Sequence, residues 1–471
     1  MNLTIRQIAE AAKGRLVYGG PNDSYEAFLE TKVDSVVLDS RQVTAGGVFV
    51  ATVGERVDGH SFAESVFEKG AVLAIVQREP EMSEHWSCYI VVEDTLLALK
   101  EIAEAYRKTL RIPIIGITGS VGKTSTKEFI AGVLSEKYNV LKTQGNYNNE
   151  IGVPLTLLRI REEHEAAVIE MGISDFGEMH RLSKMARPDV AVITNIGQCH
   201  LENLRDRDGV LKAKTEIFDF MSTEGTICLN GDDDKLRTVV PEGGRKLRFF
   251  GIANTEETSV FATDIVKKGL WGSEAVLHNA QGECYGVTVT LPGIHMVLNA
   301  TAAACVAEVL GLTPAQIKAG LERVAAIGGR NNLIRTEAYT LIDDCYNANP
   351  VSMKAGIDLL CMADTAKVAI LGDMFELGTN SDEMHAGVGE YAVEKNIDGL
   401  ICVGENSRHM YEAALGKENG CRVCYFNTRE ELLLALNKTG EELLPDGCTV
   451  LIKASHGMHF EAVVELLKNK N

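Results

Sequence analysis

The sequence predicts an α/β protein of three domains, and three observations carry that prediction. Short Val/Ile-rich runs recur along the chain with amphipathic stretches between them, which is the pattern of parallel strands covered on both faces by helices. One run, residues 112–117, passes directly into Gly116-Ile-Thr-Gly-Ser-Val-Gly-Lys-Thr-Ser125 and then into an amphipathic stretch, giving strand, glycine turn and helix. The length of 471 residues is too great for one core and matches about three domains of roughly 150 residues each.

Residues 1–110 form the first predicted domain, with strands at 46–51 and 71–76 and a helix through Leu96, Leu99, Ala103 and Tyr106 that leads to Pro113. Residues 111–327 form the second. Its strands are 112–118, 166–170 and 189–194, the first followed by a helix whose apolar face is Phe129, Ile130, Val133, Leu134 and Tyr138. A β-rich patch at 285–291 precedes helices near 296–310 and 314–325. After Gly328-Gly329 the alternation restarts, with strands at 339–343, 367–372, 398–403, 421–426 and 448–452, so residues 328–471 read as a doubly wound, Rossmann-like domain.

The glycine turn carries the chemistry. Its backbone N–H groups, over Gly119, Ser120, Val121, Gly122, Lys123, Thr124 and Ser125, face inward at the positive end of a helix dipole and so cradle a polyphosphate. Lys123 reaches the β- and γ-phosphates of ATP, and Thr124 offers a hydroxyl to Mg²⁺. The strict pattern G-x-x-x-x-G-K-S/T wants glycine at 117, where this chain has Ile117; the strand-to-helix setting favours phosphate binding over a plain surface turn.

Glu170 and His200 lie at or just past the ends of two strands of the second domain, where such sheets put their ligands, and together can hold Mg²⁺ with phosphate oxygens and water. Taken singly, each is more often a cap or a satisfied polar group. Lys214, in the amphipathic stretch 210–218, reads as a solvated lysine no more notable than Lys212. Arg330, just past the second boundary, could stabilise charge on a transferring phosphoryl group or could be a surface arginine.

Composition narrows the partners. A net charge of −19 with no basic block argues against nucleic acid and against an anionic membrane surface. The N-terminus lacks a basic region followed by an apolar one, and no run approaches the ~20 apolar residues that span a bilayer, so the expected location is the cytoplasm and the expected state a monomer. Eleven scattered cysteines, among them Cys228, Cys305, Cys361 and Cys402 in apolar runs, read as buried thiols of a reducing compartment. The pair Cys421 and Cys424 lacks the second pair that a metal site needs.

Taken together, the motifs resemble the Mur ligase superfamily over nearly the whole chain. The residues that carry the resemblance are Asp39-Ser-Arg41, Asp58-Gly-His60, Thr118 to Thr124, Gly145-Asn-Tyr-Asn-Asn149 with Ile151 to Pro154, Glu170-Met-Gly172, Thr194-Asn195 with His200, and Lys214. To these add Asp343 to Pro350, Leu371 to Met374 with Glu376-Leu-Gly378, and Lys453-Ala-Ser455. Asp343 to Pro350 and Gly372-Asp-Met374 with Glu376-Leu-Gly378 are the most specific, and they point to the branch that uses ATP to join D-Ala-D-Ala to UDP-N-acetylmuramoyl-tripeptide in peptidoglycan synthesis. The resemblance implies that the first domain holds the uridine diphosphate end near Ser40, Arg41 and His60, with Asn149 also on the substrate. It implies that Thr124, Glu170, His200 and a CO₂-carbamylated Lys214 hold Mg²⁺, that Asn299, Arg330, Asp344 and Asn347 contact the nucleotide, and that the third domain receives the dipeptide. Lys123, Lys214, His200 and Arg330 are the implied catalytic set. Met296, Ala454 and His456 depart from the family pattern. The other readings are a sister ligase using a different amine and a nucleotide-gated binding protein; the third residue of the acceptor peptide, lysine or diaminopimelate, stays open.

Overall fold

Apolar, β-branched strands with no polar face must be covered on both sides. The computed structural model, which describes residues 1–54, 57–79, 88–197, 199–253, 256–324, 332–375, 377, 380–417 and 420–470, arranges them in three sheets among those residues. The first comprises β1 (Arg15–Tyr18), β2 (Ser35–Val37), β3 (Gly47–Val50), β4 (Leu73–Val76) and β5 (Cys88–Val91), in the order β1-β5-β4-β3-β2. All its pairs are parallel except β1 with β5. Alternate residues divide between two apolar clusters, Val48, Val50, Leu73 and Ile75 in one and Phe49, Ala51, Ala74 and Val76 in the other, as the two-residue period of a strand requires.

The second sheet contains β6 (Ile114–Thr118), β7 (Val140–Lys142), β8 (Ala166–Glu170), β9 (Val190–Ile193), β10 (Thr226–Asn230), β11 (Lys246–Gly251), β12 (Val260–Lys267), β13 (Ser273–His278) and β14 (Cys284–Val289). Its order is β14-β13-β12-β11-β10-β9-β6-β8-β7. From β6 the chain builds outward through β7 and β8 on one side, then returns to place β9 on the other. Strand β6 is therefore the switch point, parallel to both neighbours, and its carboxyl end opens a crevice.

The helix Thr95–Thr109 joins these two sheets. Asp94 caps it by accepting from the N–H groups of Leu96 and Leu97, and its buried stripe is Ala98, Leu99, Ile102, Ala103 and Tyr106. The apolar cluster on one face of the first sheet continues through this stripe to Ile114, Ala167 and Ile169 of the second. Polar ties reinforce the junction: the Tyr106 hydroxyl donates to Ile160 O at 2.6 Å, and Arg107 donates to Ala186 O at 2.8 Å and Arg187 O at 2.9 Å. By contact density the chain divides into two compact units, residues 1–263 with 276–287 and 297–322, and residues 264–275 with 288–296 and 323–471.

The second unit carries the third sheet: β15 (Asn332–Arg335), β16 (Thr340–Asp343), β17 (Lys367–Gly372), β18 (Gly399–Val403), β19 (Arg422–Phe426) and β20 (Thr449–Lys453), ordered β15-β16-β20-β17-β18-β19. Only β15 is antiparallel, to β16. Five of these strands fall where the sequence puts them; β15 is not among the strands the sequence predicts. Ala369, Leu371, Leu400 and Cys402 enter one apolar cluster and Val368, Ile370, Ile401 and Val403 the other. No described helix is long and apolar enough to cross a membrane.

Helices Ser381–Glu394 and Ser407–Leu415 approach so closely that a Cβ on Gly389 would lie 2.1 Å from the backbone oxygen of Met410. Gly389→Ala should therefore force the helices apart and destabilise the second unit by about 1–3 kcal/mol, visible as an earlier transition in urea unfolding; an unchanged midpoint would refute the close approach.

Candidate active site

The loop after β6 is shaped by what its neighbours leave room for. Gly119 has φ +151°, and a Cβ there would stand 1.9 Å from the Thr194 hydroxyl. Gly122, at φ +81°, is the residue before the helix Lys123–Leu134. Between them the loop is strapped to the segment after β9. Asn195 accepts from Val121 N at 3.0 Å and donates back to Val121 O at 3.0 Å, Thr194 donates to Val121 O at 2.7 Å, and Ser120 N donates to Asn195 O at 3.1 Å. The N–H groups of Lys123, Thr124 and Ser125 open the helix and have no partner within it, so they are the donors left for phosphate oxygens.

The Lys123 ammonium rests on the loop itself, donating to Gly119 O at 2.8 Å. Burial lowers its pKa and the Glu170 carboxylate partly opposes that. Glu170, at the end of β8 and 1% exposed, receives the Thr124 hydroxyl at 3.2 Å and the Asn148 amide at 2.9 Å on Oε1. Its Oε2 is buried with no hydrogen-bond partner. An orphaned carboxylate oxygen beside the loop hydroxyl fits a divalent cation, which takes oxygen ligands of this kind. The buried Lys127 ammonium, 3.7 Å from Oε2, balances the carboxylate's charge. No group of three or more His, Cys, Asp or Glu that could hold a metal occurs among the described residues, so protein carboxylates and imidazoles do not fill the cation's shell and phosphate oxygens and water would contribute to it.

Lys214 differs from its sequence reading. It is 1% exposed, whereas Lys212 is the exposed one. Burial, with the Lys123 charge adding to it, pulls the Lys214 pKa down to about 8, and no acidic side chain among the described residues pairs with it. Asn299 also sits at this loop's helix, accepting from the Thr126 hydroxyl at 3.0 Å. His200 is exposed, in the left-handed region at φ 52°, and lines a cleft of about 520 Å³ together with Lys123, Asn148, Asn149 and Glu150. The Asn149 side-chain oxygen is committed to Ile151 N and Gly152 N.

In the first sheet's loops, Arg41 forks onto Asp39, whose pKa falls to about 2 in consequence, and the Ser40 carbonyl accepts from Lys69 at 2.9 Å. His60 uses both ring nitrogens: Nδ1 meets Asp58 at 2.7 Å and Nε2 accepts from Gln77 N at 2.8 Å, which makes it the neutral Nδ1–H tautomer. In the second unit, buried Lys453 bonds Asp344 at 2.5 Å and Asn347 O at 2.9 Å. Of the departures from the family pattern, Ala454 is wholly buried and would meet a Cβ on Gly372 at 2.7 Å, Met296 is buried, and His456 is exposed. Arg330, Glu376 and Gly378 lie outside the described residues.

Sequence reasoning passed over Lys127, which interrupts an apolar helix face, and named Asn148 and Lys453 only as motif members, without a role.

Profiles of the Mur ligase family match three consecutive stretches: the catalytic domain profile at residues 32–112, the middle domain at 117–307 and the glutamate ligase domain at 329–456. The UDP-N-acetylmuramoyl-tripeptide--D-alanyl-D-alanine ligase of Bacillus subtilis (strain 168) is 35% identical over 98% of this chain and 97% of its own. The chain belongs to the Mur ligase family. The ligase of the same name from Escherichia coli (strain K12) is 37% identical over 93% of this chain and 94% of its own. Among solved Mur ligases, a crystal structure of MurF from Acinetobacter baumannii superposes with a TM-score of 0.86 at 33% identity, covering 99% of both chains. The MurF ligase of Thermotoga maritima in complex with ADP gives 0.73 at 30% identity, covering 92% of this chain and 97% of its own.

The loop geometry predicts that Gly119→Ala, by displacing either the loop or Thr194 at a cost of about 1–3 kcal/mol, weakens ADP binding roughly 10- to 100-fold by calorimetry while lowering the melting temperature by only a few degrees; unchanged affinity would remove Gly119 from the phosphate cradle.

Proposed function

We propose that this chain is the ATP-dependent ligase that joins D-Ala-D-Ala to UDP-N-acetylmuramoyl-tripeptide, giving the pentapeptide nucleotide, ADP and phosphate in peptidoglycan synthesis. The observation that carries the reading is the 35–37% identity, over 93–98% of the chain, with ligases of that name, joined to a phosphate loop with a buried carboxylate beside it. The finer assignments follow from it. The chain works in the cytoplasm, with residues 1–110 receiving the uridine end near Ser40, Arg41 and His60, residues 111–327 receiving ATP, and residues 328–471 receiving the dipeptide. Asn149 lies on the substrate side of the cleft; Asn299, Arg330, Asp344 and Asn347 serve the nucleotide.

A carboxylate is a poor acyl donor. The tripeptide's terminal carboxylate oxygen attacks the γ-phosphorus of ATP, the bond to ADP breaks, and an acyl phosphate results; the dipeptide amine then attacks the acyl carbon, loses a proton and expels phosphate. The loop N–H groups and Lys123 hold the phosphates in line and offset their charge. Thr124 and Glu170, with His200, would hold Mg²⁺, which when bound neutralises charge on the phosphoryl oxygens. His60, fixed as a neutral tautomer, keeps the loop after β4 in place for the uridine end.

Lys214 is proposed to be carbamylated. Only a neutral amine adds CO₂, forming a carbamate and releasing a proton, and a buried amine with a pKa of about 8 beside a second lysine supplies one. The product is an oxygen donor facing cations, where an ammonium would repel them.

Phosphate release measured with ATP, Mg²⁺ and the tripeptide nucleotide should require D-Ala-D-Ala, and the nucleotide product should gain one dipeptide less water by mass. Release indifferent to the dipeptide would refute the ligase. Lys123→Ala should lower turnover at least about 100-fold.

For Lys214 the expected sign is a rise with pH. At fixed dissolved CO₂, the neutral amine grows from about a tenth at pH 7 to about nine tenths at pH 9 for a pKa of about 8. The carbamate signal from ¹³C-bicarbonate should grow with it by NMR and vanish in Lys214→Met; a flat or absent signal would dismiss the carbamate and leave the ligase standing.

A further inference from the structure

At the amino ends of β6 and β9, on the order of 15 Å from the phosphate loop along β6, lies a second cleft of about 690 Å³ lined by Arg107, Lys108, Arg111, Arg187, Asp189 and Phe220 among others. Two helices end here, Thr95–Thr109 and Glu178–Ala186, and their last carbonyls would ordinarily repel an anion. Arg107 removes that obstacle. It donates to the carbonyls of Ala186, Arg187 and Leu110, and it pairs with Asp189, the cleft's one acid, at 3.0 Å. Asp189 is further engaged by Ile114 N at 2.8 Å, and Lys108 is paired with Glu104 at 2.7 Å.

The surplus is two arginines. Arg111 and Arg187 are exposed, and neither side chain has a hydrogen bond or ion pair among the described residues. In a chain of net charge −19, two unpaired guanidinium groups facing one concavity concentrate positive potential there. Arg187 also sits at φ 42°, a left-handed position following the helix where glycine or asparagine is cheaper. Exposed Thr223 and half-buried Phe220 also line the cleft.

From this geometry we infer that the cleft is a second anion site, separate from the ATP site, which takes a phosphate-bearing small molecule on the forks of Arg111 and Arg187. Guanidinium groups suit phosphate because their paired N–H donors match two of its oxygens at once. The site lies at the root of β6, the strand whose other end carries the phosphate loop.

The test uses the full chain carrying Lys123→Ala, which weakens the ATP site, titrated with inorganic tripolyphosphate by calorimetry at low and moderate salt. Adding Arg111→Gln with Arg187→Gln should weaken tripolyphosphate at least tenfold and flatten its salt dependence. In the otherwise wild-type chain the same pair should leave the melting temperature and ligase turnover near their parent values. Tripolyphosphate binding that the double change leaves intact, or no binding at all, would overturn the site. So would sedimentation showing that the double change breaks up a dimer formed without tripolyphosphate, since the cleft would then hold the acidic face of a second copy. Loss of this site with turnover intact leaves the proposed ligase untouched, and failure of the ligase assay leaves this titration interpretable.

Discussion

The site rests on a lack of room at residue 119. The loop after β6 and the segment after β9 run so close that the Thr194 hydroxyl occupies the place of a side chain at Gly119. This closeness lets Asn195 grip Val121 from both its backbone groups and lets Ser120 N reach Asn195 O. With those donors spent on the strap, the first turn of the helix beginning at Lys123 is left with its N–H groups pointing out of the loop. Backbone donors fixed in this way need no rearrangement when a polyphosphate arrives, and that is the form of electrostatic help that costs least at the moment of reaction.

Much of this was legible from residue types. The glycines, Lys123 and Thr124 announce the loop even with Ile117 in a position that usually holds glycine, because Ile117 belongs to a buried strand and the turn begins two residues later at Gly119. Strands β6, β8 and β9 of the second sheet and the five parallel strands of the third were readable from apolar runs, as were β3 and β4; β7, β10 and β11 were not singled out, nor were β1, β2 and β5, which are too short to show a period of their own. Lys214 shows the limit of pattern reading. Its helix is amphipathic by composition, yet the face bearing Lys214 turns inward, and only the fold reveals which of two lysines two residues apart is buried. Asn195 and Asn148 were visible as motif members, but their work, gripping a backbone and holding a carboxylate, depends on partners 74 and 22 residues away.

Charge is handled by local concentration. Lys123, Lys127 and Lys214 gather around Glu170 and the loop in a chain that is otherwise strongly acidic. Burial makes each ammonium costly and mutual repulsion adds to the cost for Lys123 and Lys214. The arrangement is therefore under electrostatic tension that incoming phosphates relieve. The second unit handles its own buried cation differently: Lys453 is paired at once with Asp344 and with the Asn347 carbonyl, a closed arrangement that locks the turn after β16.

The helix Thr95–Thr109 has a consequence for how the chain can be cut or copied by recombination. Because the cluster beneath the first sheet runs unbroken through Leu99, Ile102 and Tyr106 into Ile114 and Ile169, the two sheets of the first unit share one cooperative block. Amide protons of β3 and β4 should exchange with the same opening free energy as those of β6 and β8, and a fragment ending near residue 110 would expose half of that cluster to water. The join between the first two sheets is therefore a poor place at which to exchange modules of this enzyme.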